Sequence, residues 1–64
     1  MNIKRSQIEI LQAERGITQA ELAAQAKISR QCLSTIIRRG TCTPKTAGRL
    51  AAALDVPVAE ITKE

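Results

Sequence analysis

One stretch, Gln19–Arg38 (QAELAAQAKISRQCLSTIIR), dictates most of how this chain folds. It reads as two helices joined by a tight turn. Leu22, Ala23, Ala26, Ile28, Leu33 and Ile36 are spaced to lock the second helix across the first. The residues left over on the second helix are Arg30, Gln31, Ser34, Thr35 and Arg38, a polar set suited to base edges and phosphate oxygens. Such a pair of helices serves to carry its second member into the major groove of duplex DNA.

A chain of 64 residues is read as one domain, spanning 1–64. At this size about 60% of the unfolded surface is buried, so stability is marginal and association would help. With no aromatic residue in the chain, the core must be built from Ile, Leu, Val and Ala. That argues against RNA binders and single-strand binders, which stack bases on rings. The formal net charge is +4. Its distribution is more telling than its size. Between Lys27 and Arg49 there are six basic residues (Lys27, Arg30, Arg38, Arg39, Lys45, Arg49) and no acidic one, the electrostatic footprint of phosphate contact.

Two cysteines, Cys32 and Cys42, with no histidine, do not make a zinc site, and neither metal nor cofactor is expected. Cys32 reads as a small, semi-buried residue of the second helix, with a redox-sensing thiol as the sharper alternative. No catalytic activity is expected, because the chain has no histidine, no paired-carboxylate motif and no phosphate-binding glycine loop. The N-terminus lacks the apolar run of about 7–15 residues of a signal peptide. A membrane span of about 18 apolar residues is also missing. A cytoplasmic protein with reduced thiols is expected, with no membrane partner and no small-molecule ligand.

Five helical segments are predicted and no strand of period 2. Helix 1 covers about residues 3–14, with Ile3, Ile8, Leu11 and Ile10 on its apolar side. Ser6-Gln7-Ile8-Glu9 also fits a capping box that would start it at Ser6. Gly16 ends it. Thr18-Gln19-Ala20-Glu21 is a capping box for helix 2, which runs to about Ala26. Ser29 caps helix 3, which runs to Arg38 or Arg39 and closes at Gly40. Thr43-Pro44 reads as the cap and first residue of helix 4, with Ala47, Leu50, Ala51 and Leu54 on one face up to about Leu54. Pro57 opens a last turn from Val58 to about Thr62. Gly48, inside helix 4, suggests a close helix–helix or helix–backbone approach.

At Gln19–Arg38 the chain resembles the phage-repressor/Cro-like helix-turn-helix family, the XRE family. Arg15-Gly16-Ile17-Thr18-Gln19 looks like that family's entry to the motif, and Glu21-Leu22-Ala23 like its helix 2 core. Ile28-Ser29-Arg30 looks like its turn and cap, and Leu50–Val56 (LAAALDV) like its fourth helix. The likeness covers about residues 8–61. Three features depart from it. Lys27 replaces the usual turn glycine, at a cost of about 1 kcal/mol if it is left-handed. Gly40 falls one residue late, and the segment from Gly40 to Thr46 is short.

The resemblance implies an all-α, lambda-repressor-like DNA-binding domain of five short helices, with the helix-turn-helix at helices 2 and 3. It implies base reading by Arg30 and Gln31, with Ser34 and Thr35 on the same face. Gln19 would hold phosphate. Arg38, Arg39, Thr41 and Lys45 flank the following loop and suit backbone phosphates. The partner is double-stranded DNA, bound by a transcriptional regulator, most simply a repressor, as a homodimer on a palindromic site. Val56, Val58 and Ile61 are expected to form the dimer interface; the alternative is that Val58 and Ile61 fold back onto helix 1, leaving a monomer that pairs only on DNA. The competing reading is a protein-interaction module of the same fold, such as an antitoxin.

Overall fold

The computed structural model describes residues 1–63. Its five helices are α1 (Arg5–Arg15), α2 (Gln19–Ala26), α3 (Arg30–Arg39), α4 (Pro44–Leu54) and α5 (Val58–Ile61). Two short strands, β1 (Asn2–Ile3) and β2 (Thr62–Lys63), pair antiparallel, Asn2 opposite Lys63 and Ile3 opposite Thr62. The fold class is all-α, as expected. The absence of strands is corrected, and so is the place of Ile3, which lies in β1 rather than on helix 1. A pairing of two residues is too short to leave an alternating pattern. It forms because the chain ends meet: the Lys4 N–H donates to the Ile61 carbonyl at 2.7 Å and the Ile3 N–H to that of Gly40 at 2.9 Å.

The central helices begin and end on local chemistry. The Thr18 hydroxyl accepts from the Glu21 N–H at 3.1 Å, and the Glu21 carboxylate accepts from the Thr18 N–H at 2.9 Å. Ser29 caps α3 by accepting from the Cys32 N–H at 3.0 Å, and Thr43 caps α4 ahead of Pro44. The Ser6 box does not form. Helix α1 starts at Arg5 after Lys4, without a side-chain cap, because the β1 pairing sets where the helix begins. Gly16 and Gly40 end α1 and α3 in the left-handed region. Lys27 and Asp55 do the same for α2 and α4 with φ of 61° and 58°. In the tight turn the N–H of Ile28 reaches the carbonyl of Ala23 at 3.0 Å, which fixes the angle at which α3 leaves α2.

All five helices contribute to one core. Ile3, Ile8, Leu22, Leu33, Leu50, Leu54 and Ile61 are its fully buried large side chains. Each stabilises the fold by about 1.5–3 kcal/mol of apolar burial. Helix α2 packs most extensively on α4, where Ala23, Ala26, Ala47 and Ala51 are all buried. Their small side chains let the two backbones come close. Leu33, Ile36 and Ile37 anchor α3 from below. Ile28 is half-buried against the same core, and Ile10, assigned to the apolar side of helix 1, is 52% exposed.

Two further expectations are corrected. Ile61 is fully buried within the protomer's own core, where α5 folds back onto α1 and α4. Its side chain has no accessible surface in the protomer. Gly48 has no close neighbour: a Cβ there would meet nothing within 4 Å. Gly48→Ala is therefore expected to stabilise the domain by about 0.5–1 kcal/mol, since only the glycine's helix penalty is removed. A denaturant melt with an unchanged slope and a higher midpoint checks this, and a lower midpoint would contradict it.

Candidate nucleic-acid interface

Helix α3 is two-sided. Leu33, Ile36 and Ile37 are turned into the core, while Arg30, Gln31, Ser34, Arg38 and Arg39 are exposed. The Ser29 cap positions the first turn, and so fixes Arg30 and Gln31 at the end of the helix that leads out of the tight turn. Thr35 is half-buried on the same side. Its hydroxyl donates to the Gln31 carbonyl at 3.0 Å. The hydroxyl proton is thereby committed, which leaves the oxygen as an acceptor and the methyl group for apolar contact.

Gln19 is the half-buried first residue of α2, and Lys45 the exposed second residue of α4. Thr41 is exposed and bridges to Asn2 across β1. The structure brings Arg38, Arg39 and Thr41 together on one cleft of about 460 Å³. Gln19, Lys45 and the first turn of α3 lie outside it. Val56 and Val58 are half-buried against the core, so little apolar surface is left around them.

The same cleft contains two cations that sequence reasoning missed. Arg5 and Lys63 also line it, and among the described residues no acidic one does. Nothing in the sequence groups residues 5 and 63 with the end of α3. Only the β1–β2 pairing and the Asn2–Thr41 bridge bring the three segments side by side.

Two other arginines donate to backbone carbonyls elsewhere in the fold. Arg15 donates through Nε to the Leu54 carbonyl at 3.0 Å and lies 3.7 Å from Asp55, so it joins the ends of α1 and α4. The ion pair is solvent-exposed and adds little. Arg49 reaches the Lys27 carbonyl at 3.5 Å, across the tight turn. The six cations from Lys27 to Arg49 are all exposed, and the carboxylates of the chain lie outside that span. The cleft that gathers Arg5, Arg38, Arg39 and Lys63 can hold a polyanion beside the end of α3, while the exposed first turn of α3 is free to address other groups.

A two-helix motif with a capped, polar, exposed second helix and a one-signed rim defines a helix-turn-helix domain. The chain belongs to the helix-turn-helix family, whose model matches residues 3–61, and that family is one of DNA-binding regulators. Comparison with curated proteins and with solved structures gives no match. No helix of the described residues is long and apolar enough to cross a membrane.

Proposed function

We propose that the protein represses transcription by occupying a palindromic operator, two copies to a site, with α3 of each in the major groove. Arg30 and Gln31 read bases through the two-point contacts their side chains allow, Arg to guanine and Gln to adenine. Ser34 and Thr35 add single contacts, the Thr35 methyl suiting a thymine methyl. Gln19, Arg38, Arg39, Thr41 and Lys45 hold backbone phosphates, and Arg5 and Lys63 extend that set from the chain ends.

The observation that carries this reading is the exposure of Arg30 and Gln31 on the first turn of a helix whose other side is locked in the core. Arg30 is a cation at the positive end of a helix dipole, an unfavourable place unless it serves a partner. Size supports two copies. The longest dimension of the protomer is 27 Å, less than one turn of DNA at about 34 Å. One copy therefore reads one half-site. With Ile61 in the core, Val56 and Val58 are the remnant of the expected interface, and pairing is proposed to be completed on the DNA.

The test is alanine substitution measured on preferred and random duplexes. Arg30→Ala and Gln31→Ala should each cost about 1–3 kcal/mol on the preferred site and relax the preference at one or two base pairs. Ser34→Ala should cost less, because one hydroxyl makes no two-point contact. Equal weakening on specific and random DNA would reassign that residue to the backbone.

A further inference from the structure

The chain contains three sulfur atoms, those of one methionine and two cysteines. They come from three separate segments: the N-terminus, α3, and the loop before α4. In the fold all three residues line one groove, of about 500 Å³. The Cys42 N–H donates to the Met1 carbonyl at 3.0 Å, which fastens the first residue beside the loop. Both cysteines are free thiols, Cys32 exposed and Cys42 half-buried. Neither the helix-turn-helix nor the cation cleft makes use of them.

From this convergence we infer that Met1, Cys32 and Cys42 bind a soft monovalent metal ion, of the Cu(I) or Ag(I) class, and that loading it weakens DNA binding. The donor set selects the ion. Thiolates and thioethers suit Cu(I). Zinc prefers four nitrogen or sulfur ligands, and the described residues hold no cluster of three or more His, Cys, Asp and Glu. The rest of the lining is Ile36, four threonines and Arg39, with no carboxylate among the described residues to favour a hard cation.

A soft metal ion displaces the proton of each thiol as it binds. Two thiolates holding one monovalent ion carry a net charge of −1.

The link to DNA rests on the function proposed above. Arg39 and Thr41 line both this groove and the cation cleft, and Thr35 lines the groove from the reading side of α3. A new negative charge there draws Arg39 away from phosphate and repels the duplex.

The test has two arms. In the first, without DNA, the full chain is titrated anaerobically with Cu(I) against a chromophoric Cu(I) chelator. One Cu(I) per chain is expected. Cys32→Ser and Cys42→Ser should each weaken binding by more than about tenfold, and a synthetic chain with norleucine in place of Met1 should weaken it measurably but less. One Cu(I) per two chains, bridged through exposed Cys32 residues, would overturn the site. So would unchanged affinity in Cys42→Ser, and unchanged affinity in the norleucine chain would remove Met1 from it. In the second arm, one equivalent of Cu(I) should lower affinity for the preferred duplex by about tenfold in the native chain and not in Cys42→Ser. A native complex indifferent to Cu(I) would overturn the regulation and leave the first arm standing.

Discussion

Raising monovalent salt from about 50 to about 200 mM should lower affinity for the preferred duplex by about 10⁴-fold, a log–log slope near −7. The figure follows from about four neutralised phosphates per copy and two copies per site. The exposed cations of α3 and α4, with Arg5 and Lys63 beside them, supply enough charge for this. Fluorescence anisotropy across a salt series measures the slope. Lys45→Ala, Arg38→Ala, Arg5→Gln and Lys63→Gln should each reduce it by about one for each copy, equally on all sequences. A slope shallower than about −2 on the preferred site would refute the phosphate assignments.

Ile61→Asp should unfold the protein. Ile61 is fully buried, and its carbonyl also holds the Lys4 N–H at 2.7 Å. A carboxylate there leaves a cavity and an unpaired charge together, at a cost above about 4 kcal/mol. After the entropy cost of ordering the chain, the net stability of a domain this small is only about 3–5 kcal/mol. Far-ultraviolet circular dichroism at 25 °C should show the helical signal lost in Ile61→Asp. Ile10→Asp, at a half-exposed position, should stay within about 0.5 kcal/mol of the parent chain. An Ile61→Asp chain that keeps its helices and changes only its association state would place Ile61 at an interface instead of in the core.

Legibility in the sequence followed the range of the interactions involved. Helices α2, α3 and α4 start on caps that lie three residues from their partners: Thr18 with Glu21, Ser29 with Cys32, Thr43 with Thr46. Their starts could be read from the residues alone. Lys27 left two readings, a left-handed turn or an altered one, and it is left-handed with φ of 61° because the turn needs that conformation whichever residue occupies it. The start of α1 could not be read this way, since a pairing between residues 2–3 and 62–63 overrode the local signal at Ser6. The residues alone left Ile61 between two readings, an interface or a fold-back onto helix 1, because the same pairing that decides it lies outside any local motif; the fold-back is what buries it. Arg5 and Lys63 carry no local motif, and the end-to-end pairing alone sets them beside Arg38 and Arg39. The reading face of α3 was legible as a periodicity; which of its residues meet bases depends on a docking pose that no periodicity encodes.

Selecting binding sites from a pool of random duplexes with the purified chain tests whether α3 reads sequence in duplex DNA. A two-fold symmetric consensus is expected, with half-sites about one helical turn apart, and in Arg30→Ala it should lose one or two defined base pairs per half-site. A pool that shows no enrichment after repeated rounds, or a consensus unchanged by both Arg30→Ala and Gln31→Ala, would contradict sequence reading by α3.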